Sequence, residues 1–128
     1  MPNPSLHLRQ IGQIAVNAKD IDRATRFYRD VLGMRHLFTA GTLSFFDLDG
    51  VRLMLSLPEK PEFDHPASLL YYRVDDIAAA CKALSGHVDL THPPEVVHRT
   101  PEMELWIAAF PDTEGNTVAL MSEVPVAR

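Results

Sequence analysis

Proton-transfer chemistry in this chain has one natural pair to draw on, His98 and Glu104. They flank an apparent hairpin, Arg99-Thr100-Pro101-Glu102-Met103. A histidine oriented by a carboxylate in a partly apolar cleft titrates near neutrality, where a general acid or base works best. The plainer reading is a cross-strand surface pair. Metal chemistry finds less support. The six histidines are His7, His36, His65, His87, His92 and His98, and none forms a His-x-His or His-x-x-x-His pair. A site built from His92, His98, Glu102 and Glu104 would need a fixed geometry that their spacing does not impose. Cys81 stands on an apolar helical stripe and reads as a small buried hydrophobe rather than a reactive thiol. Gly-rich phosphate loops, nucleophile elbows and paired-cysteine zinc motifs are absent.

Binding chemistry is better represented. Trp106, Tyr71 and Met54 fall on one predicted strand parity and offer an adaptable apolar wall, or else fill a core or a dimer interface. Arg52 and Arg73 on the same parity suit a ligand carboxylate or act as solvated rim charges. The opposite parity is wholly apolar: Ile14 and Val16; Leu53 and Leu55; Leu70, Tyr72 and Val74; Leu105, Ile107 and Ala109; Val118 and Leu120. That side is expected to pack on helices, which leaves the mixed side as a concave face that meets a ligand.

The elements that must position these residues follow from pattern. Residues 6–17 read as a strand. Asp20 caps a helix whose stripe runs Ile21, Ala24, Phe27, Tyr28, Val31 and Leu32, and Gly33 ends it. Strands near 35–39, 43–48 and 51–57 follow, the last two joined at Asp49-Gly50. The proline-rich stretch 58–67 reads as a linker. The series then restarts. A strand covers 68–74, and Asp76 caps a helix carrying Ile77, Ala80, Cys81 and Leu84. Strands near 87–91, 95–99, 103–110 and 116–122 complete it, with Pro93-Pro94 interrupting the first two. The restart is visible in the residues themselves. Gln13-Ile14-Ala15-Val16 before Lys19-Asp20-Ile21 is matched by Leu69-Leu70-Tyr71-Tyr72-Arg73-Val74 before Asp75-Asp76-Ile77, and Asp49-Gly50-Val51-Arg52-Leu53-Met54-Leu55 by Glu114-Gly115-Asn116-Thr117-Val118-Ala119-Leu120. The expected architecture is α+β, one domain of two β-α-β-β-β modules (6–57 and 68–124) whose mixed sheets form a curved cleft.

Composition sets the outer bounds. With 128 residues, 46% of them hydrophobic and 23% charged, the chain suits one continuous core and not a disordered segment. A net charge of -5 without basic runs argues against nucleic acid and anionic membranes as partners. No apolar run reaches membrane-spanning length. The opening Met1-Pro2-Asn3-Pro4-Ser5 lacks the features of a signal peptide, and a lone cysteine is compatible with the cytoplasm.

The run Lys19-Asp20-Ile21-Asp22-Arg23-Ala24-Thr25-Arg26-Phe27-Tyr28-Arg29-Asp30-Val31-Leu32-Gly33 resembles the helix signature of the vicinal oxygen chelate superfamily, which includes glyoxalase I, bleomycin-resistance proteins, fosfomycin-resistance enzymes and extradiol dioxygenases. Phe110-Pro111-Asp112-Thr113-Glu114-Gly115-Asn116 resembles its final hairpin, commonly F-x-D-P-D-G-N, with Thr113 and Glu114 where Pro and Asp are usual. Metal-dependent members take a ligand from the first and last strand of each half. By resemblance those positions fall on Gln13, Met54, Leu69 and Ala119. Only Gln13 offers a donor suited to a divalent cation, so no metal or other cofactor is expected. The resemblance implies a homodimer, sometimes with exchanged modules. The leading expectation is a metal-free protein that binds a small amphipathic molecule among Gln13, Met54, Leu69, Tyr71, Trp106 and Ala119. The alternative is a lyase or isomerase acting on a carbonyl substrate through His98 and Glu104.

Overall fold

Alternation of apolar and polar residues produces β1 at Gln13–Asn17. The computed structural model of the chain describes residues 6–58 and 61–126; the expectation placed on the first five residues lies outside them. Residues 6–12 do not extend the strand, because β1 acquires a partner only from Gln13 onward. Asp20 caps α1, Ile21–Arg26, by accepting the Arg23 amide at 3.0 Å. The helix then loosens into a π-helical turn, Phe27–Val31, and Gly33 closes it at φ 71°. Strands β2 (Arg35–Ala40), β3 (Leu43–Leu48) and β4 (Val51–Ser56) follow. Asp49 and Gly50 both have positive φ, 51° and 99°, as the two-residue turn between β3 and β4 requires.

The connecting stretch contains a short 3₁₀ turn at Pro61–Phe63. The second series comprises β5 (Leu70–Arg73), α2 (Ile77–Leu84), β6 (His92–Arg99), β7 (Met103–Pro111) and β8 (Thr117–Pro125). Asp76 caps α2 through the Ala79 amide at 3.0 Å. The strand expected at 87–91 does not form; the chain turns there, leaving only an isolated bridge between Ser85 and Val88. Pro93-Pro94 lies inside β6 rather than interrupting two strands. This is possible because β6 is a sheet edge and its register shifts between His92 and Glu95.

The two sheets have identical topology, β1-β4-β3-β2 and β5-β8-β7-β6. In each, the first strand runs parallel to the last and the remaining pairs are antiparallel. The fold is α+β, two four-stranded mixed sheets with two helices. One core joins them. Val16, Phe27, Tyr28, Phe46, Leu53 and Leu55 from the first half cluster with Ile77, Leu84, Ala108, Phe110, Val118 and Leu120 from the second. The sheets therefore meet through their helix-bearing sides, and their other faces turn outward.

A polar clasp fixes this junction. The β7–β8 turn reaches the start of α1, where the Glu114 carboxylate accepts the Lys19 and Asp20 amides at 2.7 and 2.8 Å. It also accepts the Arg23 guanidinium at 2.8 and 3.0 Å. Burial alone would raise the Glu114 carboxyl, but these bonds and that of Thr113 outweigh it and bring it down to about 2. Asp112 accepts the Tyr28 hydroxyl at 2.7 Å, and Asn116 donates to the Asn17 carbonyl at 2.8 Å.

Candidate functional site

Residues paired across neighbouring strands share a face, so register assigns each candidate side chain. In the first sheet Gln13 pairs with Arg52 and Ala15 with Met54, while Phe45 pairs with Met54 and Phe38 with Phe45. These residues occupy the outer face. Ile14, Val16, Leu53, Leu55 and Phe46 occupy the core face, as the alternation predicts. In the second sheet Tyr71 pairs with Ala119, Ala119 with Ala109, and Met121 with Ile107. This is the second outer face, and Leu69 precedes Tyr71 on it by one strand period.

The register shows that the two halves repeat at the level of single residues. Gln13 lies beside Arg52, and Met54 stands two residues further along β4. Carried one residue back from the Leu70–Val118 pair that begins β5, the same register sets Leu69 opposite Thr117, with Ala119 two residues further along β8. Gln13 and Met54 thus stand in one sheet as Leu69 and Ala119 stand in the other.

Their contacts test whether the residues fit a metal. The Gln13 amide oxygen accepts the Arg52 Nε–H at 2.8 Å, and its amide nitrogen contacts the Met54 sulfur at 3.6 Å. The one suitable donor is therefore held by a cation. A thioether, an isobutyl group and a methyl group complete the set, and none replaces a carboxylate or imidazole around a divalent ion. Among the described residues, no group of three or more His, Cys, Asp or Glu side chains converges elsewhere. The residues do not fit the metal that this fold commonly carries.

Two placements correct the sequence reading. Trp106 pairs with Ser122 and packs against the core, so it lies on the helix-bearing side and not with Tyr71. The core parity of β7 is Ala108 and Phe110, both 0% exposed, whereas Leu105, Ile107 and Ala109 face outward. His98 pairs with Leu105 and shares its face, while Glu104 pairs with Arg99 and Val124 on the other. The Glu104 carboxylate accepts Arg99 at 2.8 Å and the Trp106 indole at 3.3 Å. The Arg99 bond in particular holds its carboxyl below the usual range. The sheet separates His98 from Glu104, so the acid–base pair is not assembled. Arg73 is paired with Glu123 at 3.0 Å.

Phe38 and Phe45 belong to the candidate face and were not singled out from sequence. Their rings lie 4.6 Å apart, and the Arg52 guanidinium sits 5.3 Å from the Phe45 ring centroid. The available signal was the parity of Phe45 with Leu43 on β3, which the adjacent Phe46 obscured. A hollow of about 380 Å³ opens beside Met54, bounded by Ala15, Leu43, Ser56, Pro58 and His65. A larger one, about 540 Å³, lies at the junction of the halves among Met34, Leu48, Tyr72, Leu84 and Val118, apart from these residues. Burial, assisted by the Asp112 charge, pushes the Tyr72 hydroxyl up to about 12.

Residues 10–120 match the family model of the Glyoxalase/Bleomycin resistance protein/Dioxygenase superfamily. No curated protein matches the chain. Similar solved structures include a superfamily member from Sphaerobacter thermophilus (22% identity, TM-score 0.74, covering 91% of this chain and 99% of that one). A lactoylglutathione lyase from Agrobacterium tumefaciens is 23% identical with TM-score 0.70, over 94% of this chain and 96% of its own. TnmS3, an antibiotic-binding protein from a Streptomyces species, is 23% identical with TM-score 0.70, over 94% and 99%. At these identities the likeness to solved structures speaks for the fold alone, while the family model spans most of the sequence: the chain belongs to the glyoxalase/bleomycin resistance protein/dioxygenase superfamily.

Proposed function

We propose that this protein binds a small amphipathic organic molecule without a metal, on the outer faces of its sheets. One observation carries the reading: of the four repeat-related positions, Gln13, Met54, Leu69 and Ala119, three are apolar and the fourth already serves Arg52. Tyr71 and Leu69, each about half exposed, extend the second outer face. The antibiotic-binding neighbour is consistent with this reading. Because the two faces of one chain turn away from each other, we infer a homodimer in which the first sheet of one copy and the second sheet of the other enclose the ligand. Exposed Leu6, Leu8, Ile11 and Phe38 supply apolar surface for that association. No described helix is long and apolar enough to cross a membrane, and the buried Cys81 thiol suits a cytoplasmic setting.

Protein purified without chelator is expected to contain no stoichiometric Ni, Zn, Mn or Fe by elemental analysis. An equivalent of any of these that is lost with Gln13→Ala overturns the metal-free reading. Sedimentation at micromolar concentration is expected to give a dimer; a monomer at every concentration removes the shared enclosure.

A further inference from the structure

Arg52 is held but not neutralised. Its Nε–H is taken by the Gln13 amide oxygen at 2.8 Å, and its guanidinium lies 5.3 Å from the Phe45 ring centroid. These two contacts hold the group against the face, and its terminal Nη atoms donate no hydrogen bond to a described residue. No carboxylate among the described residues forms an ion pair with it. Its cross-strand neighbour on the same face, Asp47, accepts the Gly50 amide at 3.2 Å and lies 3.9 Å from Arg35. In a chain with more acidic than basic residues, a guanidinium oriented by two neighbours yet lacking a counter-ion is a specific feature.

Next to it lies an apolar shelf. Phe45 stacks against Phe38, which is 49% exposed, and Met54 pairs across from Phe45. Cation and shelf together have the shape of a receptor for a flat apolar body carrying a planar anion. A guanidinium edge meets a carboxylate with two parallel hydrogen bonds, a geometry no ammonium reproduces.

We propose that the ligand of the first outer face is an aromatic or otherwise flat apolar carboxylate, its carboxylate on Arg52 and its body on Phe38 and Met54, with the buried Phe45 supporting them. This rests on the small-molecule-binding reading above and gives that ligand its charge and class.

Calorimetric titration with 2-naphthoate and 2-naphthylmethanol tests it, using full-length protein and the variants Arg52→Met and Arg52→Lys. The wild type is expected to bind the acid at least about tenfold tighter than the alcohol. Arg52→Met is expected to abolish that preference, bringing the affinity for the acid down to that for the alcohol. Arg52→Lys is expected to fall between, since it keeps the charge but not the paired bonds. Equal binding of acid and alcohol by the wild type overturns the carboxylate assignment while leaving small-molecule binding in place. A preference that survives in Arg52→Met overturns it as well, because the anion is then held elsewhere. Failure of both probes to bind any form overturns the binding reading, and this proposal with it.

Discussion

The junction between the two halves and the outer faces of their sheets use polar groups in opposite ways. At the junction the carboxylates of Asp112 and Glu114 are fully engaged. Asp112 accepts the Tyr28 hydroxyl, the Glu114 and Asn116 amides and the Asn116 side chain. Glu114 accepts two amides, an arginine and a threonine. No buried side-chain nitrogen or oxygen among the described residues lacks a partner. On the outer faces, Arg52 has no counter-ion among the described residues, and Phe38, Leu69 and Tyr71 stand half exposed. Satisfied polar groups hold a structure in one arrangement, whereas oriented but incomplete ones are left for a ligand or a second chain. The difference separates the residues that make the fold from those proposed to bind.

Mutations should divide along the same line. The largest effect is expected from Phe110→Ala at the core of the second half, where Phe110 is fully buried. A loss of about 3–5 kcal/mol in denaturant unfolding is the outcome to measure, with unchanged probe affinity in the fraction that remains folded. Glu114→Ala should cost about 2–3 kcal/mol, because it strands the Lys19 and Asp20 amides and frees Arg23.

The same carboxylate predicts an acid response. Its folded value of about 2 lies below the ordinary 4.5, so the unfolded chain binds the proton more readily. Its contribution is complete above pH 4.5 and is lost as pH falls toward 2. Unfolding midpoints measured across that window should drop less steeply in Glu114→Gln than in wild type; equal slopes would remove Glu114 as the source. Tyr28→Phe deletes one bond to Asp112 and should cost about 1.5 kcal/mol. The smallest stability change, within about 0.5 kcal/mol, is expected for Tyr71→Ala. That variant should instead weaken dimerisation or probe binding, read by sedimentation and calorimetry. A large stability loss with neither effect would make the second outer face structural.

Much of the fold could be read from residues because several signals agreed on it. Asp20 and Asp76 both cap helices, Asp49-Gly50 makes the two-residue turn, and the repeat extends to the offset between Gln13 and Met54. The misreadings arose where local pattern was ambiguous. β7 is apolar on both parities from Leu105 to Phe110, so alternation could not decide which side faces the core. The pairing of Trp106 with Ser122 and of Phe110 with Val118 did. That one-residue choice moved Trp106 off the candidate face and split His98 from Glu104. Residues 6–12 are apolar enough to resemble a strand, but before Gly12, whose carbonyl accepts the Arg52 amide, no described strand pairs with them. The orientation of Arg52 depends on Gln13 and Phe45 from two other strands, and no spacing within the sequence encodes it.

Pro93-Pro94 bears on which margin of the molecule is open to an added strand. Two consecutive residues of the edge strand β6 have no N–H to donate, and the strand is kinked between His92 and Glu95. An incoming strand laid along that margin would find a gap in its ladder at the point where pairing must propagate. Edge-to-edge growth into longer sheets or fibrils is thereby discouraged on this side of the molecule. The proposed association of copies would then use the broad surfaces of the sheets, where the apolar exposure lies.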